Sequence, residues 1–130
     1  NDGLVGRNND DLDRCTFFDN GEGRFAVDLR KAVALEKVCT YSWHRSDRAP
    51  QTFSLWAATE KIPLDADLQA EDGGGWTLIA RVDTRHLGQG GVHASCVVFP
   101  KDKQYRYLMW VTDLMVQSTF FNEIDVFPAK

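Results

Sequence analysis

The sequence predicts an all-β protein, an antiparallel β-sandwich, on three observations. Apolar and polar residues alternate with period two along most of the chain, turn signals separate the alternating runs, and no stretch carries a helical pattern of useful length. Seven or eight short strands joined by turns suit two packed antiparallel sheets.

Taken in order, residues 1–23 are polar, and Asn8-Asn9-Asp10-Asp11 and Asp19-Asn20-Gly21 mark turns, so an ordered loop with little regular structure is expected there. Phe25, Val27 and Leu29 alternate with Ala26 and Asp28. Val38 to Trp43 is β-branched and aromatic. Phe53, Leu55 and Ala57 form the apolar face of a third run, and Trp76, Leu78, Ala80 and Val82 that of a fourth. Ala94 to Phe99 is a short apolar run, Tyr105 to Val111 alternates, and Phe120 to Phe127 alternates again. Gly73-Gly74-Gly75 and Gly88-Gln89-Gly90-Gly91 separate strands. Ala32 to Lys37 has helical propensity over only six residues, at the limit of nucleation, and Pro63 to Glu71 has room for one helical turn. Trp56, Trp76 and Trp110 lie in strand patterns and are expected in the core.

With 130 residues the chain reads as one domain, long enough to bury a core. It begins Asn1-Asp2-Gly3, without a basic or apolar leader, and is expected to be a module of a larger protein. A formal charge of −4 and the lack of a basic stripe speak against a nucleic-acid partner, and the apolar runs are too short to span a membrane. Cys15, Cys39 and Cys96 are 24 and 57 residues apart, which is neither a disulfide framework nor a zinc site. At most one bridge is expected, and Cys39 and Cys96 read as small buried apolar side chains.

The densest chemistry lies between Tyr41 and Gln51. Trp43, His44, Arg45, Asp47 and Arg48 combine an aromatic plane with directed donors and acceptors, the mixture a saccharide needs for its C–H face and its hydroxyls. A second candidate, the glycine-rich segment 83–93, holds Arg85, His86 and His93. Each feature also has a plain structural use. Trp43 suits the end of a core strand, Asp47 and Arg48 suit a mutual pair, Pro50 presets a turn, and His86 and His93 suit a solvated surface. The same loops carry Trp43 and Leu87 beside Arg45, Arg48 and Arg85, a thin version of a phospholipid head-group site. There is no nucleophile elbow, phosphate loop or metal-ligand spacing, so no enzymatic activity is expected.

Four stretches in order resemble the discoidin-like domains, also called coagulation-factor type C domains: Asp2-Gly3, Phe25 to Leu29, Tyr41 to Leu55, and Asn122 to Phe127. Residues 41–51 and 105–127 are most similar to a branch found in large bacterial envelope or secreted proteins. Cys15-Thr16-Phe17-Phe18 stands where the family has Thr-X-Trp, and no Cys lies near the C-terminus. The resemblance implies a galactose-binding-like jelly roll whose end loops bind a glycan or polysaccharide, attached to other domains and placed outside the cell or in its envelope. It also implies a structural calcium ion, with Asp2, Thr16 and Glu123 at the ligand positions; calcium takes oxygen donors, which segment 8–13 also offers without the EF-hand spacing. The alternative is a protein-interaction or structural domain of such a protein. On the carbohydrate reading, Arg48→Ala or His44→Ala should remove binding and leave the melting temperature unchanged.

Overall fold

The computed structural model describes residues 11–19, 22–112 and 118–130, and it places eight strands there with no α-helix among the described residues. They are β1 (Thr16–Asp19), β2 (Arg24–His44), β3 (Thr52–Ala58), β4 (Thr77–Asp83), β5 (Gly91–Val98), β6 (Gln104–Thr112), β7 (Ser118–Phe121) and β8 (Glu123–Pro128). Every pairing is antiparallel. The main order is β4-β3-β6-β2-β5, with β8 on the other side of β2, and β1 pairs with β7. β2 belongs to both layers, since residues 24–34 pair with β6 and residues 35–44 with β5 and β8.

The strand expectations hold, with local corrections. Segment 32–37 lies inside β2 and is not helical. Six residues nucleate a helix poorly, while here Val33 and Ala34 pair with β6 and Leu35 and Lys37 with β8. Just before this segment the strand is irregular between Asp28 and Val33, where Arg30 takes a φ of 72° and donates its backbone N–H to Asp28 Oδ1 at 2.7 Å. Segment 63–71 forms turns and no helical turn. The run 120–127 is divided at Asn122, whose N–H donates to the Tyr41 carbonyl at 2.9 Å and whose Oδ1 accepts the Trp43 N–H at 2.7 Å. Residues 16–19 are a strand and not loop, because Phe17 and Phe18 pair with β7. Leu78 is 40% exposed, since the β3–β4 register slips between Leu55 and Trp56 and breaks the alternation there.

Two apolar clusters follow from the strand period. Phe53, Leu55 and Ala57 point between the layers and meet Leu108, Trp110, Val38 and Phe121. Phe25 stacks on Trp110 at 5.1 Å and meets Phe121 edge-on at 5.0 Å, and the buried Trp110 indole N–H donates to Thr40 Oγ1 at 3.2 Å. The opposite face of β3 and β6 carries Trp56, Ala58, Met109 and Val111, joined by Trp76 and covered by Ile62, Ala66 and Leu68 from the excursion 59–76. Trp56, Trp76 and Trp110 are thus all buried. Cys39 and Cys96 face each other across β2 and β5 and form a disulfide, the one bridge allowed for, and the reading of both as small buried apolar side chains is corrected, since Cys96 lies on the outward side of β5 and is exposed. The cross-strand register, invisible in the spacing, makes the bond. Cys15 takes no part in it.

Candidate functional site

Strand register gathers the predicted loops at one end of the sandwich. Arg24 pairs with Val111, Phe53 with Thr112, Thr52 with Asp83 and His44 with Gly91. The starts of β2 and β3 therefore meet the ends of β4 and β6, and the turns after β2 and β4 lie together. These turns are joined by backbone bonds. Gly90 N–H donates to the Ser46 carbonyl at 2.9 Å, Thr84 N–H to the Gln51 carbonyl at 3.0 Å, and Gln51 N–H to Thr84 Oγ1 at 2.8 Å. Gly90 has a φ of +79°, and a Cβ there would lie 2.6 Å from the Arg45 carbonyl oxygen, so only glycine lets the two backbones approach this closely. Within the first turn, Ser42 Oγ donates to the Ala49 carbonyl at 2.6 Å.

The candidate side chains take different roles in this frame. Arg45 and Asp47 are exposed and Arg48 is half-buried. Trp43 is half-buried on β2 opposite Val92. His44 is turned inward, 5% exposed, with its ring 5.3 Å from that of Phe120 and its Nδ1 accepting the Ser46 N–H at 3.2 Å. Arg85 is exposed and forms a forked ion pair with Asp83, at 2.6 Å for the shortest contact. That hydrogen bonding holds the Asp83 carboxyl at about 2, well below its ordinary value. His86 is exposed, with Nδ1 3.2 Å from the Asp83 carbonyl. His93 is buried and not on the surface, because β5 alternation turns it inward, where Nδ1 lies 2.8 Å from Thr84 Oγ1.

Beside the loops lies a cleft that the sequence reading did not identify. It holds about 260 Å³ and is lined by Glu22 and Arg24 of the β2 approach, Ser54 and Trp56 of β3, Leu68 and Gln69 of the excursion, and Arg81 and Asp83 of β4. Arg24 pairs with Glu22 at 2.9 Å and donates Nη1 to the carbonyls of Leu64 and Ala66 at 3.0 and 2.9 Å, tying the excursion to the sheet. Trp56 donates its indole N–H to Ser54 Oγ at 2.8 Å. Asp83 lines the cleft and holds Arg85, which joins the cleft to the predicted loops. The available signal was the polar side of strands read for their apolar side: Ser54 with Trp56, and Arg81 with Asp83.

Of the expected calcium ligands, Thr16 and Glu123 line one open concavity of about 600 Å³ with Asp13, Cys15 and Asn122. Thr16 is exposed and Glu123 is 9% exposed. Asp2 lies outside the described residues. Among the described residues no three His, Cys, Asp or Glu side chains cluster closely enough to hold a metal by themselves.

No protein-family model matches the chain, and neither does any curated protein. Solved structures do match. A serum fucolectin of the striped bass, Morone saxatilis, superposes over 99% of the chain with a TM-score of 0.64 at 15% identity. The fold is that of the discoidin-like jelly rolls. The carbohydrate-binding module of AlyQ, solved with 4,5-unsaturated mannuronic acid, matches 94% of the chain and 83% of its own length at a TM-score of 0.61 and 12% identity. A type C domain from Bacteroides fragilis matches 97% of the chain and 76% of its own length at 0.55 and 12%. The chain spans 40% of the striped-bass lectin's length.

Proposed function

We propose that this discoidin-like domain is a non-catalytic carbohydrate-binding module that takes a glycan or polysaccharide at the end of the sandwich where segments 45–51 and 84–90 meet the cleft. The observation that carries this is the joining of a walled cleft, partly apolar through Trp56 and Leu68, to a polar rim held in place by backbone hydrogen bonds. A rigid rim and fixed donors spare a ligand the entropy of ordering the site. In this reading Arg45, Asp47, Arg48, Arg85 and His86 face the ligand, Trp43 offers the exposed part of its ring at the margin, and His44 supports the loop from within. Lectins and carbohydrate-binding modules among the solved neighbours support the same reading.

The cleft's carboxylates argue for binding and against hydrolysis. A glycosidase general acid needs a raised pKa, whereas Arg85 holds Asp83 at about 2 and Glu22 is paired with Arg24. A calcium ion held by Glu123, Thr16 and Asp2 would fix the approach to β1, and the hard oxygen donors of Thr16 and Glu123 suit it. The disulfide suits a secreted or envelope setting.

A second reading, a protein-interaction domain, is favoured by one feature. The outward side of β5 leaves Val92 59% and Val98 71% exposed, with Phe127 of β8 nearby across β2. Titrating saccharides of different classes into the isotopically labelled domain separates the two. Shift changes at residues 43–51, 81–90 and 69 support the module, and binding that instead shifts Val98 and Phe127 contradicts it.

A further inference from the structure

We infer that the ligand carries an anionic group, a carboxylate or a sulfate ester on the sugar, received by Arg81; the inference rests on the glycan-binding reading above. The charges facing the cleft are Glu22, Arg24, Arg81 and Asp83. Two cancel against each other, since Glu22 and Arg24 pair at 2.9 Å. Asp83 is neutralised from outside the cleft by Arg85, whose guanidinium donates to both carboxylate oxygens. What remains is the guanidinium of Arg81, which has no side-chain or backbone partner among the described residues. The chain as a whole is at −4, so this positive spot is local and not a property of the surface.

The neighbouring donors point the same way. Arg81 stands directly opposite Ser54 on the adjacent strand, which places their side chains within about 5.5 Å at Cβ. Ser54 Oγ already accepts the Trp56 indole N–H, so its own hydrogen is left to donate. The floor of the cleft therefore offers a planar fork of N–H groups and a hydroxyl hydrogen, while the charge of each of its carboxylates is already met by an arginine. A neutral sugar, whose hydroxyls both give and take, would leave the guanidinium desolvated without a counter-charge. A carboxylate or sulfate fills the fork with paired, charge-assisted bonds.

The test is calorimetric titration of the whole domain with three oligosaccharide sets of equal length: neutral, uronate-bearing and sulfate-bearing. Wild type should bind one anionic set about tenfold or more tighter than the neutral set, and which set wins identifies carboxylate or sulfate. Arg81→Gln should bring anionic and neutral affinities to within about threefold, and Arg81→Lys, which keeps the charge and loses the fork, should retain part of the preference. Melting temperatures of the variants confirm that they fold. Equal binding of neutral and anionic sets, or a preference that survives in Arg81→Gln, overturns the inference and leaves the glycan-binding reading standing. If no set binds, both fall.

Discussion

Gly90 is the residue on which the meeting of the two loops depends. Its positive φ and the 2.6 Å approach of an added Cβ to the Arg45 carbonyl leave no room for a side chain. Gly90→Ala is expected to lower stability by about 1–3 kcal/mol and to weaken ligand binding with it; chemical denaturation and titration read the two effects. His44→Ala is expected to lower stability by about 2 kcal/mol, because the ring is buried against Phe120. This corrects the expectation that its removal would spare the melting temperature, and an unchanged denaturation midpoint would return His44 to the binding surface. Asp83 gives a pH prediction. Its folded value of about 2 lies below the ordinary 3.8, so its contribution to stability is present above about 3.8 and is lost as pH falls through about 2. A carboxyl titration by NMR should find the midpoint near 2 in wild type and raised toward the ordinary 3.8 in Arg85→Ala, without reaching it, because the backbone N–H at position 85 still donates to Asp83 Oδ1. At this scale the sequence was partly legible. Period two places Trp110 inward, and the same period counted from Val38 through Thr40 and Ser42 turns His44 inward too, although its polar neighbours made it look like a loop residue.

The β2–β5 pair is the element held most firmly by covalent chemistry. A bridge closing a separation of 57 residues is worth about 4 kcal/mol in the chain-entropy view. The Cys39→Ala, Cys96→Ala double variant should therefore lose about 3–4 kcal/mol in chemical denaturation while keeping the same fold; no loss would mean that the bridge adds nothing to the folded state. Strands were the most legible elements, since alternation needs only local sequence. The cysteine pairing was not, because the register that sets Cys39 opposite Cys96 is fixed by everything between them. Segment 32–37 shows the same limit, with local helical preference overruled by pairing to β6 and β8.

Across the whole molecule, the order of weak motifs along the chain carried the fold, and the discoidin-like architecture agrees with it. The cleft was out of reach for a physical reason. Arg24, Ser54, Gln69 and Arg81 lie on four separate segments and meet only because the starts of β2 and β3 lie beside the end of β4 and the excursion folds over them. The proposed calcium site also belongs to this scale, since it would join the N-terminal approach to β8. Added calcium should stabilise the fold by RT ln(1 + [Ca]/Kd), about 2.7 kcal/mol at a hundredfold excess over Kd, so that calcium raises the melting temperature and a chelator lowers it; identical melting curves would rule the site out. Whether this end of the sandwich binds carbohydrate is decided by a glycan-array screen of the folded domain beside its Arg81→Gln variant. Binding to one class of saccharide, weakened or lost in the variant, is expected. A blank array with the folded domain, alongside self-association or protein capture through the Val92 and Val98 face, would contradict it.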